Sequence, residues 1–532
     1  MPSRLSAAAT TVQRHADRIP VPLRFPLMVY AVLQVIYLLW WAAFYPGLMS
    51  YDSITYVREV TEHHWSSDHS VLYDALVWLS LKGTGDLWLL TLLQAIAVSA
   101  VLAYTCVALR DLGVRARWSF AAAVVLAVLP STGTFTVFVW KDSAFAISVL
   151  LAFAALIRLT VRVVRGRDRL RERWFYWQLG LLELGFIGIA LFRNSSITVV
   201  LVALPVMLLA LRSMRIWITA MAVATTVLYL GMNFVVYPHL GILKPNVTSY
   251  YAFNYADIAV AYHDDPKSFT PADRAVMEKV SPLATWGGRA GNCWNVDWTM
   301  HALDRPALAA ENTELMDLWW RVVGRTPNLV AQGHLCRSQI AWGIFGGPKN
   351  LAGNTQIADP YITADLFHQA APGRAMEHSR YLPVLRTRPL SDPLHAAAEW
   401  FYRFSETPQT QWLVWRGAIW AYLSYLSVGL LAYRWRRQAR RLFVIAGMAL
   451  GVQLSVVIAN PSPMTRYTLP ITMVGIMTVP LLGLLRRPAP QSDPSPPAPV
   501  QTPVPTPLPE KPARTENLAA ASTPRPSRIG TS

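Results

Sequence analysis

The chain has 532 residues, of which 53% are hydrophobic and only 15% are charged, with a formal net charge of +17. A mean hydropathy of +0.29, together with 21 tryptophans, is too apolar for a soluble protein of this length and predicts a membrane protein. The basic excess does not indicate nucleic acid binding, because it is concentrated in short stretches between apolar segments.

Ten apolar stretches approach the roughly 20 residues that a transmembrane helix needs. They lie near 26–46, 87–109, 117–137, 142–161, 174–192, 196–213, 216–236, 412–433, 442–460 and 468–485. The first follows a polar leader, residues 1–25, and no small-residue cleavage site follows it, so a cleaved signal peptide is not expected. The predicted fold class is an all-α polytopic membrane protein.

Arginine-rich turns predict the orientation of these spans. Residues 162–173 hold six arginines, and residues 434–441 hold five. Because basic loops remain in the cytoplasm, we expect both termini inside and the long segment 237–411 outside the plasma (inner) membrane. That segment holds 15 Lys or Arg against 16 Asp or Glu, so the positive excess lies on the cytoplasmic side.

The non-spanning regions have distinct predicted roles. The first external loop, 47–86, contains two amphipathic or apolar stretches, 52–63 and 70–82, which are too short to span and suit helices lying along the membrane. After the last three spans, within 412–485, the tail 486–532 is rich in Pro, Ser and Thr. It cannot bury a core, so we expect a disordered cytoplasmic tail.

Two of the three cysteines, Cys293 and Cys336, lie in the segment predicted to be external, where a disulfide persists. The sequence leaves open whether they pair, because it gives no distance between them. Cys106 lies inside a predicted span and is assigned to packing.

Polar side chains recur at the predicted outer ends of the spans. They are Asp52 in "YPGLMSYDS", Lys141 and Asp142 in "FVWKDSAF", Arg193 and Asn194 in "ALFRNSSI", and Arg466 and Tyr467 in "NPSPMTRYTLP". The positive-inside rule disfavours cations at the outer ends of membrane spans, so these residues need another explanation. Snorkelling or an ion pair between Lys141 and Asp142 would explain a single case. Three cations with an isolated carboxylate at one level predict a ligand site instead.

The predicted ligand is a lipid phosphate. Lys141, Arg193 and Arg466 would bind the phosphate, since arginine does so bidentately and lysine as a point charge. Asp52 could accept the proton of a hydroxyl nucleophile while the phosphate leaves. This is the chemistry of glycosyl transfer from a polyprenyl-phosphate sugar.

These residues resemble those of the GT-C superfamily of multi-pass glycosyltransferases, which carry an acidic residue early in the first external loop, where Asp52 stands. The "KD", "RN" and "RY.LP" motifs, together with "FNYADIAVAYHDDPKSFTPADRAVMEKV", resemble an uncharacterised bacterial branch of it. The resemblance implies a catalytic core within 26–236 and an inverting enzyme facing outside. It also implies an acceptor held by the 237–411 segment. The expected acceptor is a cell-envelope glycan, and the sequence leaves a protein or lipid acceptor open.

One departure concerns metal dependence. Many members carry paired acids in the first loop, whereas Ser53 follows Asp52 here, which favours a single base and no metal cofactor. His63, His64 and His69 are assigned to contacts with the donor or acceptor, with a divalent metal as the lesser alternative. The same contacts are expected of Asp142, Asn194 and Tyr467. Further along the loop, acidic residues provide alternative bases, namely Asp68 and Asp74.

Two other function classes stay open. A flippase or transporter of lipid-linked glycans would handle the same lipid, but it should show internal repeats and polar residues near the bilayer midplane. A polysaccharide polymerase would share the lipid phosphate and the large external segment. The identity of the sugar is not encoded in any pattern that the sequence shows.

Overall fold

The computed structural model describes residues 21–165, 173–345 and 380–489. No strand occurs in those ranges, where isolated bridges join only Leu48 to Phe138 and Ser66 to Leu243. Most of the predicted leader and tail, together with residues 166–172 of the basic turn, falls outside the described residues. The described chain is therefore all-helical, in agreement with the predicted fold class.

The helices are labelled in chain order. The first half contains α1 (Val21–Ala43), α2 (Tyr51–Thr61), α3 (Val71–Thr84), α4 (Trp88–Leu112), α5 (Ala116–Val128), α6 (Pro130–Val137), α7 (Lys141–Val164), α8 (Arg173–Phe192), α9 (Ile197–Ala210) and α10 (Arg215–Gly231). The 237–411 segment contains α11 (Ala252–Asp264), α12 (Pro271–Val280), α13 (Val296–Ala302), α14 (Arg305–Ala310), α15 (Asn312–Arg325), α16 (Pro327–Arg337) and α17 (Asp392–Ser405). The last helices are α18 (Gly417–Arg434), α19 (Val444–Ile458) and α20 (Leu469–Thr478).

Helical turns of three to six residues lie between these helices, and one follows α20. They are Arg212–Met214, Met232–Val236, Tyr237–His239, Val247–Tyr250, Pro266–Ser268, Leu283–Gly287, Gln339–Trp342, Leu382–Leu385, Gln411–Val414, Arg436–Gln438, Ala439–Leu442, Thr465–Tyr467 and Val479–Leu484. Helices also occupy both stretches predicted in the first loop, as α2 and α3.

Six helical stretches among the described residues are long and apolar enough to cross a membrane. They are Leu23–Ala43, Trp88–Leu112, Lys141–Val164, Arg173–Phe192, Arg212–His239 and Arg436–Ile458. Each coincides with one of the ten predicted spans. The chain thus has the apolar helices of a multi-pass membrane protein, and these suit a lipid bilayer as partner.

The other four predicted spans differ from simple membrane-crossing helices. Pro130 divides the 117–137 stretch into α5 and α6, which meet at a bend of 66°. The apolar helices Ile197–Ala210 and Leu469–Leu484 are shorter than 18 residues. Tyrosines and an arginine dilute the apolar character of α18. Six spans, or seven with the bent pair, are supported, and the number ten stays a prediction.

The helix α7 lies at the centre of the main apolar core. It packs against α4, α8, α19 and α20, and side chains along it, such as Phe153 and Leu156, are fully buried. Because α7 begins at Lys141, this central position places a charged, half-buried side chain at the end of the core helix.

The 237–411 segment has an apolar core of its own around Tyr255, Trp286 and Leu315. Inside this segment, Arg337 donates to Asp257 over 2.5 Å, and both side chains are almost fully buried. Cys293 and Cys336 form a disulfide that joins the loop before α13 to α16. The question that the sequence left open is thereby answered in favour of pairing in this structure.

Candidate functional site

A short backbone pairing positions the chain that leads to Asp52. The Leu48 amide donates to the Val137 carbonyl over 3.0 Å, and the Val139 amide donates to the Leu48 carbonyl over 2.9 Å. A Cβ on Gly47 would lie 2.9 Å from the Val137 carbonyl oxygen, so this approach requires glycine. The loop after α1 is therefore fixed beside the strand-like link that leads into α7.

Asp52 lies in the first turn of α2, which serines at its N-terminus anchor. The Ser50 amide donates to the Ser53 hydroxyl over 2.9 Å, and this hydroxyl donates to the Val139 carbonyl over 2.8 Å. The first turn of a helix presents free amides and a partial positive charge, which favour a carboxylate there. The sequence "SYDS" thus both begins the helix and places the acid.

Arg466 reaches Asp52 from the far end of the chain, 414 residues away. Its Nη1 donates to Asp52 Oδ2 over 2.6 Å, and its Nη2 donates to the Tyr467 hydroxyl over 3.0 Å. The guanidinium also stacks over the Trp140 ring at 5.1 Å. Asp52 and Arg466 are partly exposed, at 19% and 16%, so this ion pair lies at an accessible surface.

The electrostatic environment of Asp52 favours its ionised form. Burial by itself would raise the pKa of the carboxyl group, but the adjacent Arg466 guanidinium, with Lys141 and His69, holds the pKa well below its usual range. A carboxylate in this state is a weak base. Proton uptake by Asp52 therefore requires that the interaction with Arg466 be loosened first.

Lys141 contacts His69 and Tyr56 and acts electrostatically on Asp52. Lys141 Nζ donates to His69 Nδ1 over 2.7 Å and lies 5.8 Å from the centre of the Tyr56 ring. Burial, then the Lys141 charge, lowers the pKa of His69 to about 3. His69 is therefore a neutral acceptor that orients the ammonium group, and the electrostatic influence of Lys141 extends to Asp52.

Arg193 adds a third cation through Tyr467. The Arg193 guanidinium lies 4.2 Å from the centre of the Tyr467 ring, and the same ring lies 5.0 Å from the Arg466 guanidinium. Arg193 Nη1 is 3.7 Å from Asp142 Oδ1, so Asp142 pairs with Arg193. We call Asp52, Lys141, Arg193 and Arg466, together with these neighbours, the cationic cluster.

Asn194 has a positioning role in the structure. Its side-chain amide donates to the carbonyls of Ser67, Asp68 and His69, at 2.6, 3.2 and 3.3 Å. These bonds fix the segment of the first loop that presents His69 to Lys141. The amide donors of Asn194 are thus directed at the protein backbone, and a contact of this residue with donor or acceptor stays a prediction.

The remaining predicted histidines lie apart from the cationic cluster. His63 and His64 are exposed at the end of α2, where His64 Nδ1 bonds the Glu62 carbonyl at 3.1 Å. Among residues 21–165, 173–345 and 380–489, no three His, Cys, Asp or Glu side chains gather as a metal ion would require.

A buried acidic pair lies behind the first loop. Glu59 and Asp74 are 5% and 0% exposed and influence each other electrostatically. Burial raises the pKa of Glu59 to about 7 and that of Asp74 well above its usual range. Burial with a second carboxyl group nearby disfavours the ionised form of Asp74, and its role as an alternative base stays a prediction.

Asp297 is a residue that sequence reasoning missed. It lies in the first turn of α13, and the neighbouring Val296 amide donates to the Pro461 carbonyl over 2.9 Å. The Asp297 side chain is exposed, and the charges of Arg466 and Asp52 both act on its carboxyl group. A single Asp in "CWNVDWTM" carries no signal that would single it out.

Comparison with known families gives a partial match. A family model described as a family of unknown function (DUF6020) matches residues 69–288. The matched range contains Lys141 and Arg193 but neither Asp52 nor Arg466. No curated protein and no solved structure matches the chain. The likeness therefore covers part of the cationic cluster and suggests no activity.

Proposed function

We propose that the protein is an inverting glycosyltransferase that uses a polyprenyl-phosphate sugar. The observation that carries the proposal is the 2.6 Å contact of Asp52 with Arg466, near Lys141 and Arg193. Three cations suit a phosphate, and the adjacent carboxylate suits a general base. All four residues lie outside or at the ends of apolar helices, where the headgroup of a membrane lipid would be found.

The Asp52–Arg466 pair would couple donor binding to catalysis. An entering phosphate competes with Asp52 for the Arg466 guanidinium, and loosening that contact raises the basicity of Asp52. Asp52 then accepts the proton of the acceptor hydroxyl. The hydroxyl oxygen forms a bond to the anomeric carbon from the face opposite the leaving group, and the bond from this carbon to the phosphate oxygen breaks. Polyprenyl phosphate leaves with the electron pair, stabilised by the cations.

The cationic cluster would face the outside of the plasma membrane, as would the 237–411 segment. The positive-inside distribution supports this orientation, and so does the Cys293–Cys336 disulfide, since disulfides persist in oxidising compartments. The ten-span topology with both termini in the cytoplasm belongs to the same proposal. A cell-envelope glycan is the proposed acceptor.

Lipid that remains bound during purification provides the test. The full-length protein is purified in lipid nanodiscs, and its lipids are identified by mass spectrometry. A polyprenyl-phosphate sugar is expected, and it should lose its sugar to envelope glycan in the presence of the wild-type protein. Asp52→Asn should lower this transfer rate on the order of 10²–10⁴-fold, as loss of a general base does. Transfer at the wild-type rate by Asp52→Asn would refute the mechanism.

A further inference from the structure

The 237–411 segment contains a cavity that the proposed chemistry does not use. Its volume is about 530 Å³, within the roughly 300–1,000 Å³ typical of small-molecule sites. The lining includes Trp294, Trp298, Arg289, His263 and His301. Aromatic rings, imidazoles and a guanidinium together are suited to a ligand with both apolar faces and polar groups.

The loop that forms one wall is held in a fixed shape. A Cβ on Gly291 would lie 2.6 Å from the His263 Cβ, so only glycine permits this approach. The buried Asn292 accepts from the Asn295 amide over 2.9 Å and donates to the Thr299 hydroxyl over 3.2 Å. The next residue is Cys293, whose disulfide anchors the loop. The wall is therefore built in advance of any ligand, which reduces the entropy lost on binding.

Several groups of the lining retain unused binding capacity. Trp298 is 55% exposed, and its ring meets the Trp294 ring edge to face at 5.9 Å. The Trp294 indole nitrogen has no hydrogen-bond partner among the described residues. His263 Nδ1 bonds the Gly287 carbonyl at 2.5 Å, which directs the other ring nitrogen elsewhere. Across the described ranges, no acidic side chain pairs with Arg289.

The helix α13 joins this cavity to the cationic cluster. Trp298 and His301 line the cavity three residues apart, so they share a face of the helix. Asp297 precedes Trp298 on the same helix and interacts electrostatically with both His301 and Arg466. The Val296 amide at the start of this helix donates to the Pro461 carbonyl over 2.9 Å, so the helix also contacts the loop that leads to Arg466.

We propose that this cavity binds an anionic saccharide, with Trp298 stacking on a sugar ring and Arg289 contacting a carboxylate or phosphate of the chain. The apolar faces of sugar rings suit an exposed indole, and hydroxyls suit the imidazoles. A guanidinium that has no acidic partner among the described residues favours an anion. The assignment of this cavity as the acceptor site of the transferase rests on the proposed function. The binding of a saccharide to the cavity does not.

Binding by the full-length protein in nanodiscs tests the site without turnover. The probes are fluorescently labelled hexagalacturonate, an anionic saccharide, and maltohexaose, a neutral one, followed by fluorescence anisotropy. Trp298→Ala should raise the Kd for hexagalacturonate at least tenfold. Arg289→Gln should raise it at least fivefold while changing the Kd for maltohexaose less than twofold. Trp320→Ala is the matched control, because Trp320 is 65% exposed on α15 and does not line the cavity.

Absence of hexagalacturonate binding would overturn the proposal, as would equal effects of Trp298→Ala and Trp320→Ala. An Arg289→Gln variant that binds the anionic probe as tightly as wild type would also overturn it. Undecaprenyl phosphate binding by the same variants separates this result from the fate of the transferase. If saccharide binding is absent while lipid binding is intact, only the cavity proposal is refuted. If saccharide binding is intact but no glycosyl transfer occurs, only the proposed function is refuted.

Discussion

Neutralising Asp52 should tighten the binding of a polyprenyl phosphate, because Asp52 competes with the phosphate for Arg466. The bond between them is a charge-assisted hydrogen bond of 2.6 Å. Such bonds contribute about 1.5–3 kcal/mol. The two side chains are 16% and 19% exposed, so solvent screening favours the lower end of that range. A gain of about 1.4 kcal/mol corresponds to roughly tenfold tighter binding.

The assay is the affinity of undecaprenyl phosphate, without sugar, for the protein in nanodiscs by native mass spectrometry. Asp52→Asn should lower the Kd roughly tenfold, and Arg466→Gln should raise it by at least as much. Asp86→Asn is the matched control, since the Asp86 carboxylate pairs with Arg388 rather than with the cationic cluster. Unchanged or weaker binding by Asp52→Asn, or no loss in Arg466→Gln, would refute the competition between carboxylate and phosphate.

Three further outcomes are expected. Because the pKa of Glu59 is raised from 4.5 to about 7, the folded state retains a proton that the unfolded state releases, and stability falls as pH rises through that window. Glu59→Gln should therefore raise the free energy of unfolding by about 3 kcal/mol at pH 8 and change it little at pH 4, as measured by thermal unfolding. An equal change in the free energy of unfolding at both pH values would contradict this. Replacing Cys293 and Cys336 by serine opens a loop spanning 43 residues and should lower the free energy of unfolding by up to about 4 kcal/mol. A reductant added to the wild-type protein should lower it by a similar amount. A membrane-impermeant thiol reagent should label Asn350→Cys in intact cells but not Asp168→Cys, and reversed labelling would overturn the proposed orientation.

Much of the helical framework follows from local sequence. Apolar runs longer than 20 residues, such as those in α4 and α7, form helices wherever they occur because lipid and core both require satisfied backbone hydrogen bonds. The serine pair that flanks Asp52 likewise begins α2 by local hydrogen bonds. The grouping of cations at span ends also followed from the sequence, because the positive-inside rule makes such residues exceptional.

Tertiary structure alone decided which of these residues meet. A hydropathy profile averages residue polarity and contains no information about the bend at Pro130. The stretch 117–137, predicted as one span, therefore forms two helices. Asp297 is joined to the cationic cluster by a bond from Val296 to the chain near residue 461, which no local pattern encodes. The contact between Asp52 and Arg466 spans 414 residues of sequence. Its geometry depends on how the intervening helices pack, and packing is a property of the whole chain rather than of either motif.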